Sequence, residues 1–158
     1  MKQYDVVIIG GGPGGLAAAK GAKENGARSV LVLERDTRVG GILNQCIHDG
    51  FGLIRYGSML TGPEYALRAE KEATESGAEI LTGAMVTGLT ADRVVTAVTR
   101  QGLLQAKAGA VVLATGCRER TRGAIAIPGT RPAGIYTAGT AQNLMNTKNL
   151  IYCANKLC

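Results

Sequence analysis

Residues 10–15 read Gly-Gly-Gly-Pro-Gly-Gly, directly after the aliphatic run Val6-Val7-Ile8-Ile9. Glycine loses more backbone entropy on folding than any other residue, so a run this dense needs a backbone reason. The β-branched run before it reads as a strand buried on both faces. Gly14 to Asn25 reads as a helix, with Leu16, Ala17, Ala18 and Ala19 for the core and Lys20, Lys23 and Glu24 for solvent. Gly26 sits where a glycine closes a helix. Val30-Leu31-Val32-Leu33 is a second buried strand. Residues 5–34 therefore form one βαβ unit of the usual length for that motif.

Inside this unit Gly10, Gly12 and Gly15 fit the pattern G-x-G-x-x-G. The first glycine lets the chain turn sharply out of the strand. The second leaves the backbone bare, so that a pyrophosphate can approach it. The third lets the helix pack closely on the strand. The helix start offers N–H groups without intrahelical partners, and a partial positive charge, to phosphate oxygens. Pro13 lacks an N–H, but at that place the group would have no helical acceptor anyway. Glu34 closes the second strand, 19 residues beyond Gly15, where an acidic side chain accepts hydrogen bonds from ribose hydroxyls. Its charge disfavours a 2′-phosphate and hence NADP, leaving NAD and FAD.

The chain has 158 residues, enough for one domain. With no Trp and a single Phe, its core must be built from Val, Ile, Leu and Ala, which suits a parallel sheet covered by helices. The net charge of +6 includes Arg118, Arg120 and Arg122 around Glu119. That run reads either as a solvated loop or as an attractor for a phosphate-bearing ligand. A nucleic-acid partner is not expected, because no aromatic residues are interleaved and no basic helix is evident. Cysteines at 46, 117, 153 and 158 match no zinc spacing, so no metal site is expected. No apolar run is long enough to span a bilayer. The expectation is a soluble cytoplasmic protein with reduced thiols.

Further on, residues 37–57 read as irregular. Thr61-Gly-Pro-Glu64 reads as a capping box that opens a helix running to about Ser76, with Arg68–Glu72 and Lys71–Glu75 pairs on its outer face. Glu79-Ile80-Leu81 is a short third strand. Residues 84–106 alternate in short segments and predict a three-stranded antiparallel meander. Ala110-Val111-Val112-Leu113-Ala114 returns as a fourth sheet strand, followed by a basic loop, a short strand and a short helix. The expected fold class is α/β: a Rossmann-like domain over 1–150, a parallel sheet with helices and an inserted meander, then a tail over 151–158.

Three further motifs carry a family resemblance. Arg38-Val39-Gly40-Gly41 resembles an R-x-G-G motif, Ala114-Thr115-Gly116 resembles an A-T-G motif, and the meander stands between them. On these the chain resembles the amino-terminal part of the pyridine nucleotide–disulfide oxidoreductase superfamily. The stretches "GGILNQCIHDGFG", "GCRERTRGAIAIPGTRP" and "AGIYTAGTAQNLMN" look like the flavoproteins associated with anaerobic glycerol-3-phosphate dehydrogenases. More distantly they look like the flavoprotein components of amine- and opine-oxidising enzymes.

The resemblance implies FAD as cofactor. It implies cofactor contacts at Gly10, Gly12, Pro13, Gly14, Gly15, Glu34 and Arg35. Gly40 and Gly41 would lie on the flavin side, Met85 and Val86 would pass the adenine, and Ala114, Thr115 and Gly116 would lie near the dinucleotide. NAD(P)H or a small reduced substrate would supply the hydride.

Two departures from the family bear on function. The disulfide reductases carry two redox cysteines after the G-G motif, whereas here only Cys46 stands near that place. Cys46 and His48 are the catalytic candidates, as a lone redox thiol and a base or substrate contact; the plainer reading is an inert loop cysteine and a structural histidine. The sequence also reaches "LIYCANKLC" without a second G-x-G-x-x-G unit, so the domain is expected to be incomplete, a partner chain or homodimer is expected to complete it, and the Cys153/Cys158 spacing is taken as coincidence. The alternative function is a non-catalytic dinucleotide-binding module that depends on a partner; an NAD-only dehydrogenase is a third reading.

Overall fold

The computed structural model describes residues 1–130 and 132–150. The elements run β1 (Lys2–Ile9), α1 (Pro13–Glu24), β2 (Val30–Leu33), a 3₁₀ turn (Gly41–Gln45), α2 (Leu53–Tyr56) and α3 (Gly62–Glu75). They continue with β3 (Glu79–Leu81), β4 (Met85–Leu89), β5 (Val94–Thr99), β6 (Gly102–Leu113) and α4 (Ala138–Asn146). The six strands form one sheet in the order β3-β2-β1-β6-β5-β4. β1 pairs in parallel with β2 and β6, and β2 with β3, whereas β4, β5 and β6 pair antiparallel. This is the expected α/β class, a parallel sheet continued by a meander.

Side-chain alternation along the strands builds two cores. Val7 and Ile9 of β1 and Leu31 and Leu33 of β2 face one side, packed with Val95, Ala97, Ala106 and Ala108 of the meander. Ile8, Val30 and Val32 face the other, under Leu16 and Ala19 of α1 and Ala69 and Ala73 of α3. The helices thus cover one face while the meander closes over the other. Small alanines on α1 and α3 let the helix backbones lie close to the sheet.

Helix α3 starts as its sequence dictates. The Thr61 hydroxyl accepts the N–H of Glu64 at 3.4 Å, and the Glu64 carboxylate accepts the N–H of Thr61 at 2.7 Å. The Lys71–Glu75 pair forms at 3.7 Å. The Arg68–Glu72 pair does not. Glu72 is taken instead by Arg55 of α2 at 2.7 Å and Lys20 of α1 at 3.1 Å, and Arg68 turns to the hydroxyl of Ser58. A carboxylate lying between three helices finds cations across the interface before one on its own exposed face.

Three boundaries differ from expectation. β1 begins at Lys2, because residues 2–4 pair with Ala106–Ala108. The third meander strand and the fourth sheet strand are one continuous β6, antiparallel to β5 at its start and parallel to β1 further on. Residues 37–57 contain the 3₁₀ turn and the single-turn α2, and among the described residues 117–137 hold no strand. No described helix is long and apolar enough to cross a membrane. The tail at 151–158, with Cys153 and Cys158, lies outside the described residues.

Candidate dinucleotide site

The glycines after β1 divide into packed and open positions. Gly10 has φ +108°, a left-handed conformation that L side chains rarely adopt, and its N–H donates to the Leu33 carbonyl at 2.9 Å. A Cβ there would lie 2.3 Å from the Ala114 oxygen, and one on Gly15 would lie 1.9 Å from the Gly10 oxygen. These two positions lock strand, turn and helix together. Gly12 and Gly14 are the opposite case: a Cβ on either would meet nothing within 4 Å.

Gly12 is the N-cap of α1 and carries no side-chain cap, with Pro13 next in the first turn. The first N–H groups of α1 therefore have no side-chain cap, and they carry the positive end of the helix dipole. A bare backbone and a clear volume are what a diphosphate requires, so the residues present fit that group.

Glu34 lies at the end of β2 and is buried, 6% exposed. One carboxylate oxygen accepts the N–H of Gly11 at 2.7 Å, the other the N–H of Asp36 at 2.9 Å. The carboxylate thus braces the glycine loop, and its remaining lone pairs are available to a hydroxyl donor. Gly11 was not singled out in the sequence, yet a Cβ there would strike Val39 at 2.6 Å and the Glu34 side chain at 3.0 Å. Arg35 is exposed beside it.

The other motif positions converge on this loop. Gly40 donates its N–H to the Gly11 oxygen at 2.8 Å, and a Cβ on Gly41 would lie 3.2 Å from the Gly12 Cα. Ala114 donates its N–H to the Ile9 oxygen at 2.8 Å, which sets Thr115 and Gly116, both exposed, at the mouth of β1. Ala84 donates to the Glu34 oxygen at 2.8 Å, so β4 starts beside Glu34, with Met85 exposed and Val86 half-buried. Four segments far apart in sequence therefore meet at the carboxyl ends of the parallel strands, the place where open α/β sheets bind ligands.

A family model described as pyridine nucleotide-disulphide oxidoreductase matches residues 4–148. The chain belongs to this family. The family and its structural neighbours are flavin-dependent oxidoreductases.

Among its curated relatives, one component of the opine oxidase of Agrobacterium tumefaciens is 35% identical over 159 residues, which covers 88% of this chain and 28% of that protein. The alpha chain of the sarcosine oxidase of a Corynebacterium species is 29% identical, covering 90% of this chain and 15% of that one. The chain therefore spans a minor part of either relative. In fold it is similar to L-proline dehydrogenase from P. horikoshii, with a TM-score of 0.74 at 22% identity, covering 95% of this chain and 29% of the other.

The two catalytic candidates are not paired. Cys46 is half-buried just after the 3₁₀ turn, and its carbonyl accepts the N–H of Gly62 at 2.9 Å. His48 is exposed; its Nδ1 lies 2.8 Å from the Asp49 oxygen and its ring tilts against Phe51 at 5.3 Å. No hydrogen bond joins Cys46 to His48. Among the described residues no group of three or more His, Cys, Asp or Glu is placed to hold a metal.

Gln45, which the sequence did not mark, is the buried polar residue of this region. Its amide donates to the Gly139 oxygen at 3.2 Å and to Gln142 at 3.0 Å, and accepts from Asn143 at 3.0 Å. Its carbonyl accepts from Asn146 at 2.8 Å. Helix α4, which buries none of its own residues, is thereby tied to the turn that carries Gly41. Glu119 holds the start of α4, accepting from the Gly139 N–H and the Thr140 hydroxyl, each at 2.9 Å. Arg118 and Arg120 on either side of it are exposed.

Proposed function

We propose that this chain forms the FAD-binding part of a flavin-dependent oxidoreductase. The observation that carries the reading is the contrast within one loop: Gly10, Gly11 and Gly15 are packed against protein, while Gly12 and Gly14 open onto free space at the start of α1. In this reading the N–H groups of Gly12, Gly14 and Gly15 bind the pyrophosphate, with Pro13 fixing the entry to the helix. Glu34 orients the adenosine ribose, with Arg35 at the rim of its pocket. Met85 and Val86 flank the adenine. Gly40 and Gly41 give the flavin side a close backbone approach, and Ala114, Thr115 and Gly116 bound the dinucleotide on the side of β6.

FAD, when bound, accepts a hydride from NAD(P)H or from a small reduced substrate. The names of the curated relatives point to an amine or an opine as that reduced substrate. Cys46 and His48 are assigned to the substrate side of the flavin as candidate catalytic groups. We read residues 1–150 as one FAD-binding domain. The outer edge of β6 over residues 109–113 pairs with no described strand, so a further strand, from this or a partner chain, would complete the sheet there. The finer assignment to glycerol-3-phosphate-dehydrogenase-associated flavoproteins, and a cytoplasmic location, rest on the sequence motifs alone.

The test is flavin binding by the 158-residue chain, followed by fluorescence and by calorimetry with FAD and ADP-ribose. Gly12→Val places a bulky group in open space and should leave the far-UV circular dichroism unchanged while abolishing binding. Unchanged flavin retention in a folded Gly12→Val protein would overturn the placement. Binding of ADP-ribose without flavin reduction by NAD(P)H or an amine would favour the non-catalytic module.

A further inference from the structure

A groove of about 660 Å³ opens at the end of the sheet opposite the glycine loop, between the starts of β1 and β2, the β4–β5 turn and β6. Five residue steps of extended chain lead from Asp5 in its wall to Gly10, roughly 17 Å at about 3.3 Å per step, so the groove is distinct from the dinucleotide site. Three cationic side chains line it, Arg28, Arg93 and Lys107, with one carboxylate, Asp5. That carboxylate is already engaged: it accepts the N–H groups of Arg28 at 2.7 Å and Ser29 at 3.1 Å and lies 3.9 Å from the Arg28 guanidinium.

Arg93 and Lys107 are differently placed. No carboxylate lies within ion-pair distance of either among the described residues. Lys107 is held by the Asp92 carbonyl. Arg93 is held by a single bond from its Nε to the Ala108 oxygen at 3.3 Å, so the guanidinium is fixed while its two terminal nitrogens stay free. Its place in the β4–β5 hairpin sets where the side chain starts. Arg93 has φ +61° at the end of the turn closed by its N–H on the Thr90 carbonyl. Glycine or asparagine suits that conformation and arginine does not. The conformation belongs to the hairpin loop, in which a turn followed by a left-handed residue carries the chain from β4 into β5. A guanidinium fork with free ends beside an ammonium matches the two oxygens of a carboxylate or phosphate.

We propose that this groove is a second anion site, in which Arg93 and Lys107 bind a carboxylate or phosphate group carried by a small anion or by an acidic polypeptide segment. The groove is independent of the dinucleotide site.

The experiment is amide and arginine side-chain NMR of the isotope-labelled 158-residue chain, titrated at constant ionic strength with citrate, with inorganic phosphate and with a hexaglutamate peptide. The expected result is saturable shifts centred on Arg93, Lys107 and Asp5, separate from any at residues 12–15. Tighter binding of the peptide than of citrate, by about tenfold, assigns the anion to a polypeptide; equal or tighter binding of citrate or phosphate assigns it to a free anion.

Two variants keep the reading falsifiable. Arg93→Gly relieves the backbone, so its melting temperature should equal or exceed that of the parent while binding weakens by about tenfold, the worth of one charge-assisted hydrogen bond. Lys107→Gln leaves the backbone alone and should weaken binding several-fold. No saturable shift at the groove with any of the three probes, or binding unaffected by both substitutions, would overturn the proposal.

Discussion

The Glu34 carboxylate closes on the backbone N–H of Gly11 at 2.7 Å while its second oxygen takes the N–H of Asp36. A side chain read from sequence as a sugar contact is therefore also the brace of the loop beside it. Glu34→Gln tests this role without changing shape. An amide offers one acceptor and turns a donor toward one of the two N–H groups. Leaving a buried donor unsatisfied costs about 1–3 kcal/mol. Urea denaturation should show a loss of that size in the absence of any ligand. An unchanged midpoint would mean that the brace contributes nothing.

Neighbouring glycines should respond to the same substitution with opposite sign. A Cβ on Gly15 would lie 1.9 Å from the Gly10 oxygen, so Gly15→Ala forces helix and strand apart at a cost of about 1–3 kcal/mol or more. Gly14→Ala adds a methyl to open space within α1 and should stabilise by about 0.5–1 kcal/mol through helix propensity. Thermal melts of the two variants, one below and one above the parent, check this directly.

Helix α4 should loosen when one amide is removed. Gln45→Ala deletes the bonds to Gly139, Gln142 and Asn143 and leaves the Asn146 contact to the main chain. α4 buries none of its residues, so beyond Glu119 at its start the Gln45 amide is its main tie to the domain. Amide hydrogen exchange over 138–146 should accelerate about tenfold or more, as the loss of hydrogen bonds worth about 1 kcal/mol each implies. Exchange in α1 and α3 should stay at the parent rate.

The pH dependence has two limbs. Backbone N–H groups of Ser29 and Arg28 hold the Asp5 carboxyl below its ordinary value, and the Thr61 N–H and hydroxyl do the same for Glu64. A depressed folded-state value favours the charged form, so this stabilisation is complete above the ordinary values of 3.8 and 4.5 and is lost as pH falls through the lower folded ones. At the alkaline end, burial and the hydrogen bond to Glu79 push the Tyr4 hydroxyl up to about 12. Here the folded state keeps its proton, so the stabilisation is present below 10.0 and disappears as pH rises toward 12. Tyrosinate absorbance should show a late-ionising component that Tyr4→Phe removes.

Much of this architecture is legible in the residues, and the illegible parts share a cause. Val6–Ile9 and Val30–Leu33 announce themselves because both faces of each strand are buried, and Thr61 with Glu64 announces α3 because its cap is local. β6 does not. Between its two halves the buried positions are Ala106 and Ala108, whose small side chains carry little periodic signal, and Gly109 is bare because a Cβ there would lie 2.8 Å from the Asp5 oxygen. Gln45 was invisible because its partners lie nearly a hundred residues away. Gly11 was hidden among identical neighbours. Only the packing against Val39 and Glu34 separates a glycine kept for protein contacts from one that leaves room for a ligand.

The twelve residues of β6 belong to both halves of the sheet. Recombination with a relative could not exchange the meander as a cassette, since any junction would fall inside a strand already committed to β1. Inheritance of the antiparallel half and of the parallel half is thus mechanically linked, and a chimera would have to carry Arg93 and the A-T-G segment across together.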